Sequence, residues 1–300
     1  MLYRIGPDWS PTLEQVEAAL DAHRFVECSA SQDKAVGWSS PRGEDHGALV
    51  ESIGGQWMLQ FVIERKVVPG FVVRRHVEQQ VEAIEQSTGR KPGKKERRTL
   101  RDDALLALLP QAFAQQSLVR VWIDPRQRWL VTDAGSQAKA DEVVTGLVRA
   151  LDRLAITPLQ TAQSPQAAMA QWLSAKSTDV WPAAFAIERE CELKASGDEP
   201  AVVRFARHPL FNDEVRQHIA EGKLPTRLAL SWEGRVSFVL TQNLQLKKIR
   251  FLEGVFEGGE DEDSFDASVA LLTGELGRLL PDLVDALGGE WSHPAGGSGA

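Results

Sequence analysis

Eleven basic residues crowd the stretch from Glu64 to Arg101: Arg65, Lys66, Arg74, Arg75, Arg90, Lys91, Lys94, Lys95, Arg97, Arg98 and Arg101. Five acids (Glu64, Glu78, Glu82, Glu85 and Glu96) oppose them, so this window carries a charge of +6. The chemistry such a run can do is phosphate binding, which needs charge and reach rather than a fixed side-chain spacing, because each neutralised phosphate releases counterions. Lys66, Arg74 and Arg75 sit before the densest part, "RKPGKKERR", and Lys247, Lys248 and Arg250 extend the candidate surface much later in the chain. Aromatic residues near the run are few, Phe71 before it and Phe113 after it. Rows of rings that would stack single-stranded bases are therefore not encoded, and duplex DNA is the expected partner, with single strands bound more weakly.

Other chemistry has little support. No HxxH, HExxH or CxxC spacing occurs among the six histidines and two cysteines, so no zinc site is expected. Neither phosphate-loop pattern of glycines occurs, and no GxSxG elbow is present. The cluster Glu260, Asp261, Glu262, Asp263 and Asp266 lacks the alternating ligands, central glycine and closing glutamate of a calcium loop, and reads as helix-start carboxylates or a solvated loop. A metal-dependent nuclease using these acids is the weakest reading. Cys28 and Cys191 read as buried, inert, reduced thiols. We expect no enzyme activity and no cofactor.

The elements that must carry the basic run follow from periodicity. Leu13, Val16, Ala19 and Leu20 have helical spacing after Thr12, a fitting N-cap. Trp57, Leu59, Phe61 and Ile63 alternate with Met58, Gln60 and Val62, the pattern of a half-buried strand after the Gly54-Gly55 turn. Two helices follow, about Val72–Ser87 and Lys94–Leu109, broken at Pro92-Gly93. Their loop-side half has too little apolar surface to be buried, so this hairpin is expected to project. Strands resume with Val119, Val121 and Ile123, turn at Asp124-Pro125, and precede a helix capped by Ser136. Antiparallel strands and a short helix fill the later chain, with Trp232-Glu233-Gly234 a hairpin turn and a long helix from about Ser264 to Leu287 at the end.

The expected fold is α+β: a central mixed α/β-sheet domain (1–69 plus 115–170), an inserted helical-hairpin tip (70–114), a second α+β base domain (171–290) and a flexible tail (291–300). The charge is polarised along it. The whole chain carries −8, from 34 basic and 42 acidic residues, and Glu253–Glu290 holds eleven acids and one base. A polyanion partner for the basic end fits this asymmetry, with the acidic segment 253–266 as a candidate contact for a second protein. No run of about 18 apolar residues is present and the N-terminus has no secretory pattern, so a cytoplasmic protein is expected.

Long strings in the chain carry a resemblance: "FVECSASQDKAVGWSSP" (25–41), "LLPQAF" (108–113), "VWIDP" (121–125), "HIAEGKLPTRLALSWEGRVSFVL" (218–240), "LKKIRF" (246–251) and "LLTGELGRLLPDLVDALGGE" (271–290). From about Tyr3 to Glu290 the chain resembles the bacterial recombination-associated protein RdgC family. That resemblance implies a ring-shaped homodimer, tip to tip and base to base, through which duplex DNA passes. It further implies nucleoid association, binding without strong sequence preference and restraint of the RecA recombinase by competition for DNA; direct contact with the recombinase through the acidic segment is the alternative. Phe113 in "LLPQAF" corresponds to a family aromatic near the tip: it either touches or wedges DNA, or closes the hairpin against the sheet as a core residue.

Overall fold

A computed structural model describes residues 1–197, 200–253, 255 and 264–291. The first part of the chain runs β1 (Leu2–Ile5), α1 (Leu13–Asp21), β2 (Lys34–Ser39), β3 (Val50–Ile53) and β4 (Gln56–Lys66), then the helical pair α2 (Gly70–Thr88) and α3 (Lys94–Leu108). It continues as β5 (Ala114–Asp124), β6 (Trp129–Thr132), α4 (Gln137–Ala150) and β7 (Ile156–Pro158). The remainder is α5 (Pro165–Ser174), β8 (Phe185–Lys194), β9 (Val202–Ala206), α6 (Asp213–Ala220), β10 (Leu224–Trp232), β11 (Val236–Thr241), β12 (Leu246–Phe251) and α7 (Phe265–Ala286).

Two antiparallel sheets result, one of seven strands ordered β2-β4-β5-β6-β1-β7 with β3 also on β4, the other of five ordered β12-β11-β10-β8-β9. Local chemistry sets the ends of the elements. Thr12 and Gln15 form a reciprocal capping box on α1, while Ser136, Ser164, Asn212 and Ser264 each accept the amide three residues on in α4, α5, α6 and α7. Glu233 and Gly234 both have positive φ, 46° and 66°, the left-handed pair a two-residue hairpin needs between β10 and β11.

The large sheet is covered on both faces. Trp38, Leu59, Phe61, Val121 and Ile123 pack with Val16 and Leu20 of α1 and Val143 and Leu147 of α4. Met58, Trp122 and Trp129 point the other way and join one core with the second sheet and with Leu276, Leu279 and Leu283 of α7. The alternation expected of a half-buried strand is therefore corrected in β4, whose residues Trp57 to Glu64 are all buried. Two faces against two layers leave no solvent side, and even Gln60 is buried, donating to Ser39 Oγ at 3.0 Å and Ser40 O at 3.2 Å. Gly146 of α4 sits against Phe61, where an added Cβ would lie 2.6 Å from the ring, so a side chain there would hold the helix off the sheet.

β4 and β5 pair along their whole length, the last partners being Lys66 and Ala114. Residues 67–113 thus leave and re-enter at the end of one β-hairpin. Val73 and Val81 of α2, Ala104 of α3 and Leu109 of the 3-10 turn Leu109–Gln111 are buried, and they belong to neither core. The helices pack on each other.

The two thiols differ from expectation in one case. Cys191 is buried in β8, where burial pushes its thiol up to about 12. Cys28 is half-exposed, because the loop that carries it lies over the sheet face, held by its amide on Glu64 at 2.6 Å. No described helix is long and apolar enough to cross a membrane.

Candidate nucleic-acid interface

Every fourth residue of α3 from Glu96 (Glu96, Leu100, Ala104 and Leu108) is at least half-buried, which marks the stripe facing α2. Lys94, Lys95, Arg97, Arg98 and Arg101 fall outside that stripe and are exposed, as are Arg74, Arg75, Arg90 and Lys91. Two of these nine cations are engaged within the tip, Arg90 with Glu96 at 2.9 Å and Lys91 with Glu85 at 3.5 Å. Among the described residues the other seven make no ion pair. The tip also includes Asp102 and Asp103, just beyond the window that gave +6, so over 70–114 nine bases face six acids and the surplus is three. Charge density is therefore concentrated in the first two turns of α3.

Lys66, at the foot of the hairpin, donates to Ser29 O at 2.7 Å. Lys247 and Lys248 lie far along the chain in β12. Lys248 is bound to Glu190 at 2.7 Å, which lowers its availability to an outside anion, while Lys247 is exposed and unpaired among the described residues. The structure brings these two lysines to one cavity with Arg120 of β5. Arg120 is exposed and was missed by sequence reasoning; the available signal was a lone cation inside the apolar run "SLVRVWID". Asp133 borders the same cavity; burial raises its carboxyl above the usual range, against the Arg120 amide it accepts at 2.8 Å.

Phe113 is 89% exposed, so its role as a core residue closing the hairpin is excluded. It stands where the 3-10 turn gives way to β5. Val67, Phe71, Leu106 and Leu118, at the hairpin foot and on the strand beside it, are also more than half exposed. Large apolar side chains left in water near one neck mark a contact surface. Of the acidic segment 253–266, residues 254 and 256–263 lie outside the described residues; Asp266 binds Arg42 at 2.5 Å, and Arg42 also holds Glu51 at 3.0 Å. The expected flexible tail, 291–300, likewise lies outside the described residues from 292 on. Among the described residues no group of three or more His, Cys, Asp or Glu side chains is placed to hold a metal ion.

A family model described as "Putative exonuclease, RdgC" matches residues 1–290. The chain is 43% identical over 297 residues to a protein of Dechloromonas aromatica named recombination-associated protein RdgC, with 96% of each chain covered. Proteins of the same name from Herminiimonas arsenicoxydans and Cupriavidus pinatubonensis are 43% and 44% identical over 294 residues, covering 96% of this chain and 96% and 97% of theirs. Similarity of that level over nearly the full length shows that the chain belongs to the RdgC family.

Proposed function

We propose that the protein is a recombination-associated, non-sequence-specific duplex DNA-binding protein that works without catalysis. The observation that carries this reading is the set of seven exposed, unpaired cations on a helical pair that belongs to neither core. Such charges gain little for folding and are free to displace counterions from a phosphate backbone. The tip residues Arg74, Arg75, Arg90, Lys91, Lys94, Lys95, Arg97, Arg98 and Arg101 make the backbone contacts, with Lys66, Lys247 and Lys248 extending them. Phe113 touches DNA or a second copy.

The further steps of the proposal come from the family. Two copies close a ring by tip and base contacts, with an acidic exterior and a basic lumen. Duplex held there is withheld from the RecA recombinase, and the protein sits with the nucleoid. Binding to a linear fragment and to a covalently closed circle of equal length, across a salt series, tests it. Neutralising about 6–10 phosphates would cost ~10³–10⁵ in affinity between 50 and 200 mM salt. A steep slope with retention on the circle against competitor supports encirclement; weak, salt-insensitive binding to both rejects it. Incubating plasmid with protein and Mg²⁺ or Mn²⁺ tests the non-catalytic clause, and metal-dependent cleavage would overturn it.

A further inference from the structure

A cavity of about 490 Å³ opens where the large sheet meets the second one. Its volume is in the range of small-ligand sites. Met58, Trp122 and Val131 form one wall; Ile249 of β12 and Leu276 and Leu280 of α7 form the other. All belong to, or pack against, the one core that the large sheet shares with the second sheet and α7, and the cavity is a gap in that core that opens at its rim. Polar groups gather at the rim: Arg120, Lys247, Lys248, Asp133 and the Met1 amine. Burial holds that amine down to about 6, and its nearest charged neighbours are Asp133 and Lys247. Lys248 is neutralised by Glu190, so Arg120 and Lys247 set the sign of the rim against the single carboxylate of Asp133.

We propose that this cavity binds a small amphipathic anion, its aliphatic or aromatic body seated between the large sheet and α7 and its carboxylate, sulfonate or phosphate head at Arg120 and Lys247. An apolar wall on both sides rewards removal of a hydrocarbon surface from water. The cationic rim selects against amines and favours an anionic head over a neutral hydroxyl, whose hydrogen bonds to it lack the charge assistance. Because Lys247 is also among the cations assigned to DNA, an occupant of the cavity weakens duplex binding, and by reciprocity duplex weakens the occupant. This last consequence rests on the duplex reading; the binding site does not.

The probe is 8-anilinonaphthalene-1-sulfonate, which has an aromatic body and an anionic head, titrated into the full-length protein without DNA. The expected result is saturable 1:1 fluorescence enhancement, displaced by monomeric decanoate and at least tenfold more weakly by decylammonium or decanol. Arg120→Glu with Lys247→Glu, both at exposed positions, should weaken the probe at least tenfold with an unchanged circular dichroism spectrum. Leu276→Trp should block it by filling the cavity. Equal displacement by decanoate and decylammonium, or an unaffected double variant, overturns the site. Phosphatidylglycerol vesicles distinguish a membrane source: sedimentation with vesicles that is lost in the double variant would overturn a free small-molecule ligand. A duplex salt series run without any amphiphile tests the DNA reading separately, so failure of one is not failure of the other.

Discussion

Several cations in the body of the protein are used differently from most of those in its tip. In the body, Arg42 is held by Glu51 and Asp266, Lys34 and Arg65 share Glu142, and Arg235 and Arg278 share Glu275, which is 4% exposed. Each ties two elements distant in sequence, or a helix to a strand end. In the tip, α2 and α3 keep seven cations without partners over a minimal apolar seam. A charge spent on an internal carboxylate stabilises the fold and is unavailable outside; a charge left in water adds little to stability and keeps its full attraction for an external anion. Loss of one of these paired body cations should lower stability modestly, whereas loss of a tip cation should only release the partner.

The largest expected effect lies in the tip. Reversing Lys94, Lys95, Arg97 and Arg98 together to glutamate should lower duplex affinity at least a hundredfold at 100 mM salt, read by fluorescence anisotropy. Removing four phosphate contacts should also make the log–log salt slope shallower by about 4 × 0.9 units, with the urea midpoint nearly unchanged. An unchanged slope would mean that the tip charges are only a solvated face.

The body gives the converse. A Cβ at Gly37 of β2 would lie 2.5 Å from Phe25 Cα, backbone that cannot swing aside. Gly37→Ala should cost about 2–3 kcal/mol in urea unfolding, while affinity per folded molecule is retained. A loss of affinity at full folding would blur the division.

Acid sharpens it further. The Cys28 amide and the Gln116 side chain hold Glu64 below the usual carboxylate range, and Arg235 and Arg278 do the same for Glu275 against the burial that opposes them. Both carboxylates have folded values below the unfolded value of about 4.3. The stability they contribute is therefore present above that value and is lost as pH falls through the lower folded values. The urea midpoint should drop between pH 5 and pH 3, and Glu64→Gln should flatten the drop; equal decline in the variant would remove Glu64 as a cause. The smallest effect on folding belongs to Phe113→Ser. At 89% exposure it should change stability by less than about 0.5 kcal/mol. It should still weaken duplex binding or self-association, measured by anisotropy and analytical ultracentrifugation.

Much of this was legible in the residues. The helical hairpin, its break at Pro92-Gly93 and its scarcity of apolar surface are local properties, as are the caps at Thr12 and Ser136. What escaped was long-range. β4 reads as a strand with one wet face, yet both faces are buried: Met58 joins the core that α7 completes about two hundred residues later, and Gln60 and Glu64 bond to Ser39, Ser40 and the Cys28 loop. Phe113 looked equally suited to a core and to a surface, and only the pairing of Lys66 with Ala114 places it outside. Arg120 carried no motif at all; it gains meaning from Lys247 across a cavity.

By itself, then, the sequence determined where charge is concentrated, which segments are helix or strand, and which family's strings the chain carries, because composition, periodicity and capping act over a few residues. The tertiary structure alone decided which cations are neutralised and which remain available, since an ion pair depends on a carboxylate reaching within about 4 Å from elsewhere in the fold. Lys248 and Lys247 are adjacent in the chain and both basic; one meets Glu190 and the other does not.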